Sequence, residues 1–362
     1  MPNIRDVARL ASVSVATVSN ALNAPDRVSP ALKGRITRAI QDLGYSPNPA
    51  ARSLRKGSSN LLGLIVADIT NPFFTELVHV VEQAASTQGY SVLLCNSDEQ
   101  VSREEQHLRV LRAQRVDGLI IAPTGRPSRS FARLLGLLPC PIVLVDRALE
   151  ELSFDTVSLD NRAAASTAVG HALDLGHRSI GFINGSERIR TAADRLSGYG
   201  DALMSRGIPL DRSLIREAAF KESEAFEAAV SILRREQPPT AVFAANGLMT
   251  MGLLRAIATL GLRCPEEVSI IGMDDVPWAE AFKPTLTMIA QPIAIMGNAA
   301  VRMLLERIMG VRTGGPEHFV AQPRLMLRQS CGPVQPGRSG VHAQTISRAA
   351  KATRESLKSP LR

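Results

Sequence analysis

The chain has 362 residues, 45% of them hydrophobic and 21% charged, with a net charge of +8. That length suits two or three domains with a sizeable core, and the composition excludes wholesale disorder. No apolar run approaches the ~18 residues that span a bilayer, and the opening MPNIRDVARL is not a secretory signal, so a cytoplasmic protein with no membrane partner is expected.

The charge is uneven: residues 1–60 carry +6, residues 333–362 carry +5, and the long middle carries −3. Basic ends on a slightly acidic body point to a polyanion partner, with a merely solvated basic surface as the alternative. Cys95, Cys140, Cys264 and Cys331 are scattered with no C-x-x-C pair. They read as reduced, packed thiols and not as a disulfide framework or a zinc site.

In chain order, Asn3 is placed to cap a helix over residues 4–10, Ala11-Ser12-Val13 breaks it, and Ser14 caps a second helix over residues 15–22. Asn23-Ala24-Pro25-Asp26 is a turn cluster. Ser29 before Pro30 reads as an N-cap with proline at the first helical position, opening a third helix that stops at Gly44. A Pro- and Ser-rich stretch follows, in which Asn48 and Pro49 can start a short helix through Arg55.

From Leu61 short apolar runs (61–66, 91–95, 118–122, 142–146, 180–183, 241–245, 268–273) alternate with amphipathic stretches. Parallel strands buried on both faces with crossover helices give this α/β pattern, and the length favours two similar lobes over one sheet. The last ~30 residues have little apolar periodicity and read as a disordered basic tail.

The first two helices have helix-turn-helix spacing. Val7, Ala8, Val13, Val18 and Leu22 can pack between them, leaving Ala16, Thr17 and Asn20 on the opposite face for a major groove and Ser14 for a phosphate. The alternative is a purely structural cap of two short helices.

At these residues the chain resembles the LacI–GalR family of bacterial transcription regulators. The resemblance continues through Leu43-Gly44-Tyr45-Ser46-Pro47-Asn48, Ala51-Arg52-Ser53-Leu54, Asn71-Pro72-Phe73-Phe74, Arg115-Val116-Asp117-Gly118, Leu175-Gly176-His177-Arg178, Arg195-Leu196-Ser197-Gly198, Ile271-Gly272-Met273-Asp274-Asp275 and Pro284-Thr285-Leu286-Thr287. It implies an all-α helix-turn-helix head (1–46), a hinge helix and linker (47–60), a two-lobed core like the periplasmic binding proteins with parallel sheets (61–331), and the tail (332–362).

For DNA, the resemblance implies a homodimer on a near-palindromic operator. Val15, Ala16 and Asn20 match base-reading positions. The first two are suited to thymine methyls or shape, and Asn20 to an adenine edge. Ser14, Thr17, Asn23 and Tyr45 suit phosphates. Leu54 matches a leucine wedged into the minor groove, with a buried linker residue as the alternative. Ser12 stands where many members have glycine, which implies a left-handed turn residue.

For a small-molecule effector, the resemblance implies binding beyond strand ends by Asp68, Phe73, Thr124, Asp146, Arg147, Arg195, Phe220, Asn246, Asp274 and Gln291. Arg195 is expected to begin a helix. Carboxylates, amides and guanidinium with aromatic faces suit the hydroxyls of a sugar or sugar derivative. Gly247 replaces an aspartate common in the family, and Arg147, Arg190 and Arg195 tilt the expectation toward an acidic or phosphorylated ligand. The effector would shift the lobes and so change operator affinity.

No P-loop, H-E-x-x-H or G-x-S-x-G occurs, and the six histidines form no ligand cluster, so no catalytic residue, metal or cofactor is expected. His177 reads as a structural hydrogen-bonding residue. The alternatives are a regulator controlled by a protein partner or a non-sugar metabolite, and a pure sugar-binding protein. The tail lacks leucine heptads, which favours a dimer over a coiled-coil tetramer.

Overall fold

The computed structural model describes residues 2–45, 58–125, 128–149 and 152–334. The chain divides into two compact units, Met1–Asn60 and Leu61–Arg362.

The first unit holds α1 (Ile4–Leu10), α2 (Val15–Asn23) and α3 (Pro30–Leu43). Asn3 caps α1 reciprocally: its side chain accepts from the Arg5 and Asp6 amides, while the Asp6 carboxylate accepts from the Asn3 N–H at 2.9 Å. Ser14 Oγ accepts the Thr17 N–H at 3.0 Å and starts α2. Ser29 stands at the start of α3, but its hydroxyl makes no cap bond. Pro30 has no N–H, so one of the orphan donors is already absent there.

The turn between α1 and α2 places Ser12 at φ 50°, in the left-handed region. Arg35 of α3 donates to the carbonyls of Ala11 and Ser12, holding that turn against the third helix. Val7, Ala8, Ala11, Val18, Ile36 and Ala39 form the buried centre, with Val13 and Leu22 packed on its edge.

The second unit contains two six-stranded sheets. In the first lobe lie β1 (Leu61–Val66), α4 (Pro72–Thr87), β2 (Ser91–Asn96), α5 (Val101–Gln114), β3 (Gly118–Ile121), α6 (Arg129–Gly136), β4 (Ile142–Val145) and β5 (Asp155–Leu159). The second lobe continues with α7 (Asn161–Asp174), β6 (Ile180–Asn184), α8 (Arg190–Met204), β7 (Ile215–Glu217), α9 (Glu222–Leu233), β8 (Ala241–Ala244), α10 (Gly247–Leu260), β9 (Ser269–Met273) and β10 (Thr287–Ala290). Then α11 (Ile293–Ile308) and β11 (His318–Ala321) return to the first lobe, and β12 (Arg324–Met326) closes the second.

The strand orders are β11-β5-β4-β3-β1-β2 and β12-β10-β9-β8-β6-β7, one pattern used twice. The first sheet is parallel throughout, and in the second only β12 runs antiparallel, to β10. The chain therefore passes between the lobes three times: after β5, after β10 and after β11. The close seat of α11 on α4 needs Gly297, where a Cβ would lie 2.6 Å from Val80 Cγ1.

One boundary shifts here. The ordered core does not stop at residue 331: Gly332 N–H donates to Ser269 Oγ at 3.1 Å, and Val334 N–H to the Leu175 carbonyl at 3.1 Å. The proposed hinge helix through Arg55, including Leu54, and the tail from residue 335 onward lie outside the described residues. All four cysteines are free thiols. His177 is fully buried, with one ring nitrogen 2.8 Å from Thr240 Oγ1 and the other 3.0 Å from the Gly332 carbonyl.

Candidate functional site

On the head, α2 divides into two faces. Val18 and Ser19 are buried, whereas Val15, Ala16 and Asn20 stand exposed. Apolar Val15 is 41% exposed beside Ala16 and Asn20. Ser14 and Thr17 share a hydroxyl hydrogen bond of 2.8 Å at the helix N-terminus, where the backbone dipole favours a phosphate. Tyr45 is half-buried against the head's core. Asn23 ends α2, and its side chain lies outside the described residues.

In the second unit the polar residues gather just past the C-terminal ends of the parallel strands, where loops from both lobes meet. Nine of the ten residues expected there line one narrow cleft, with about 20 Å³ open to water-sized molecules: Asp68, Phe73, Asp146, Arg147, Arg195, Phe220, Asn246, Asp274 and Gln291. Asn71, Phe74, Glu99 and Thr191 also line it.

Thr124 does not line the cleft. Its hydroxyl donates to Glu104 Oε2 at 2.9 Å and its backbone N–H to Oε1 at 3.0 Å, so it serves a buried carboxylate behind the cleft. Burial pushes that Glu104 carboxyl up to about 7, against the pull of the two Thr124 hydrogen bonds and Arg147.

Arg147 is buried beneath the first lobe's loops. It grips Glu99 through Nη1 at 2.8 Å and Nη2 at 2.6 Å, and Nη1 also donates to the Pro123 carbonyl at 3.1 Å. Its guanidinium lies 5.4 Å from the centre of the Phe220 ring, which belongs to the opposite lobe. Phe220 is held at φ 58° and packs on Gly185, where a Cβ would meet its ring at 2.0 Å.

A second bridge between the lobes was not foreseen. Lys221 Nζ donates to Asp68 Oδ2 at 2.6 Å and to Asp98 Oδ1 at 3.0 Å. Burial raises the Asp68 carboxyl, but hydrogen bonds from Lys221 and Thr70 outweigh it and hold the pKa below the ordinary range. Lys221 itself loses by burial and gains more from the two carboxylates, so its pKa is raised.

Arg195 stands on the second turn of α8 and not at its start. Its Nε donates to Asn161 Oδ1 at 2.8 Å and its Nη1 to the Ala245 carbonyl at 2.5 Å. Thr191 precedes it by one turn on the same helix face. Asp274 accepts from Gln291 Nε2 at 2.6 Å and from the Gly247 N–H at 3.2 Å. Asn246 caps α10 through Met249 N–H at 2.7 Å.

Asp146 differs from the other carboxylates. It is buried at φ 65°, and its nearest cation is its neighbour's Nε at 3.5 Å. Burial pushes it up to about 6, with Arg147 and Arg195 pulling the other way. Of the three arginines behind the expected tilt toward an acidic ligand, two are engaged in ion pairs. Arg190 is exposed and paired with Asp194 at 2.8 Å, and Arg147 is neutralised by Glu99.

Among the described residues no group of His, Cys, Asp and Glu could hold a metal, and no helix is long and apolar enough to cross a membrane.

A helix-turn-helix head in front of a two-lobed α/β core is the architecture of a DNA-binding transcriptional regulator. Residues 3–48 match the model described as bacterial regulatory proteins, lacI family, and residues 169–331 match a periplasmic binding protein-like domain. The chain is 33% identical over 330 residues to the HTH-type transcriptional repressor PurR of Photobacterium profundum, covering 91% of this chain and 98% of that one. It superposes on the transcriptional regulator CelR–cellobiose complex with a TM-score of 0.69 at 31% identity, covering 91% and 100% of the two chains. Against the lac repressor dimer bound to operator and the anti-inducer ONPF the TM-score is 0.80 at 26% identity, covering 91% and 99%. The chain belongs to the LacI family of bacterial regulatory proteins.

Proposed function

We propose that the chain represses transcription as a dimer on a near-palindromic operator, and that a sugar-like polyol held in the inter-lobe cleft sets its affinity for that operator. Asn20 pairs with an adenine edge, Val15 and Ala16 meet thymine methyls, and Ser14, Thr17, Asn23 and Tyr45 hold phosphates. Leu54, outside the described residues, is assigned to the minor groove by the family resemblance alone.

The observation that carries the effector reading is the make-up of the cleft. Carboxylate, amide and guanidinium groups from both lobes converge on one space edged by Phe73, Phe74 and Phe220. A polyol touching Asp146 from one lobe and Asp274 from the other fixes the lobes in one relative position. Binding and DNA affinity are then linked reciprocally: whatever factor the polyol imposes on operator binding, the operator imposes on the polyol. The CelR–cellobiose complex and the operator-bound lac repressor support this division of labour in proteins of the same fold.

The test is a gel shift against upstream regions of the source genome, with and without a panel of mono- and disaccharides. One fragment is retained selectively, one sugar class moves its apparent Kd, and Asp274→Asn abolishes the sugar response while leaving retention. Equal weak binding to every fragment, with no response to any sugar, overturns the proposal.

A further inference from the structure

A strap joins the two lobes at the rim of the cleft. Phe220 and Lys221 are neighbours in the second lobe, and Asp98 and Glu99 are neighbours in the first. Lys221 Nζ donates to Asp98 Oδ1 at 3.0 Å and to Asp68 Oδ2 at 2.6 Å. One residue along on each side, Glu99 holds the Arg147 guanidinium, which lies 5.4 Å from the centre of the Phe220 ring. Asp98, Glu99 and Phe220 all stand in the left-handed region, at φ 52°, 56° and 58°. Three strained non-glycine residues in one contact mark a geometry that the surroundings impose.

Burial places the strap between the cleft and water. Asp68 lines the cleft with its side chain 5% exposed, whereas Lys221 and Asp98 do not line it and are 34% and 35% exposed. Every lining residue is buried except half-buried Glu99, which neighbours Asp98, so the way out to solvent runs past the strap. The space inside, about 20 Å³, is that of about one water. A sugar ring therefore enters only as the lobes part. The flexible four-carbon stem of Lys221 can then follow its lobe and close the strap behind one ring. A second ring at the rim takes the place of the ammonium. Asp98 then keeps Arg103 at 3.4 Å, while Asp68 falls back on Thr70, whose N–H and hydroxyl donate to Oδ1 at 3.0 and 2.6 Å. A buried carboxylate that loses its cation costs more than the net worth of the pair.

We propose that Lys221 is a specificity-determining residue: its strap to Asp68 and Asp98 admits an effector of one ring, the size of a monosaccharide, and selects against a disaccharide. The inference rests on the cleft being the effector site and adds the size of the ligand it takes. Lys221 acts by exclusion, since its ammonium is spent on the two carboxylates and not on the ligand. Without that ammonium Asp68 has lost its cation before any ligand arrives, so a second ring no longer adds the penalty and the size selection collapses.

Titration calorimetry on the full chain tests this with matched pairs: xylose and xylobiose, glucose and maltose, glucose and cellobiose, galactose and melibiose. In at least one pair the monosaccharide binds the parent about tenfold tighter than the disaccharide. Lys221→Ala narrows that ratio to about twofold or less, whatever it does to absolute affinity, and Lys221→Met, which keeps the stem, does the same should the alanine variant fail to fold. Lys221→Arg restores the cation and keeps the ratio within about twofold of the parent's. A disaccharide that binds the parent as tightly as its monosaccharide, or a ratio untouched by loss of the ammonium, overturns the proposal and leaves the effector reading standing. If no member of any pair binds, the proposal falls, and an operator gel shift that no sugar moves overturns the effector reading beneath it as well.

Discussion

Asp146 and Asp274 occupy the same place in the two lobes. Each follows the fourth strand of its lobe, each sits in the left-handed region at φ 65° and 67°, and each donates its N–H at 2.9 Å to the neighbouring strand, to Val157 and Ile289 respectively. A non-glycine residue held there costs about 1 kcal/mol or more, and such strain persists where the surroundings over-determine it. The repeated fold thus sets two carboxylates at one cleft from opposite sides. Asp274 accepts from Gln291 and from the Gly247 N–H, whereas Asp146 has its neighbour's Nε at 3.5 Å.

That difference gives the core a pH signature. Burial pushes Asp146 up to about 6 and Glu104 up to about 7. Both values lie above those of an unfolded chain, so the stability linked to these groups is full below about pH 4 and is lost as pH rises through 6 and 7. Asp146→Asn removes one such group. Measured by thermal unfolding without ligand, the variant should gain on the parent between about pH 5 and pH 8, by about 1–3 kcal/mol at the upper end. An advantage that shrinks over this range contradicts the assignment.

Lys221 ties the lobes together in the absence of ligand. The pair is partly exposed, so its worth is about 0.2–1 kcal/mol, enough to shift an open–closed balance by up to about fivefold. Lys221→Met should enlarge the radius of gyration of the ligand-free protein in small-angle scattering. Raising salt should open the parent more than the variant. Identical scattering curves for both proteins would dismiss the bridge as ornamental.

Thr124 serves Glu104 and not the cleft. Thr124→Val deletes the hydroxyl donor to a buried carboxyl and should cost about 1–3 kcal/mol of core stability. The affinity of the folded protein for its effector should stay within about twofold, because the side chain is walled off from the cleft. A large loss of affinity with unchanged melting would return Thr124 to the binding set.

Ser12 strains the turn of the head. Ser12→Gly relieves the left-handed penalty and should stabilise the head by about 0.5–1 kcal/mol. Hydrogen exchange on the full chain should show slower opening of amides in α1 and α2. Arg35→Ala, which releases the Ala11 and Ser12 carbonyls, should speed the same amides.

Much of this site is legible in the sequence because one rule governs it: parallel strands deliver polar residues at their C-terminal ends. The rule finds Asp68, Asp146, Asn246 and Asp274 and fails at Thr124, where the loop turns the hydroxyl back toward α5. Glu99 and Lys221 escape it because their roles depend on loop geometry. Asp98 and Glu99 both adopt positive φ, and Lys221 reaches across to a lobe distant in sequence. The head is read almost residue for residue, since its caps and core are local. Strands β7 and β12 are only three residues long, and β11 pairs with β5 from the far end of the chain, which no local pattern reports.

The three passages between lobes also order the making of the protein. The first lobe lacks α11 and β11 until residue 321 has been joined, by which time nearly all of the second lobe exists. On the ribosome the head is complete long before either lobe. A chain that terminates early, anywhere within the second lobe, therefore carries a finished DNA reader and no finished sensor.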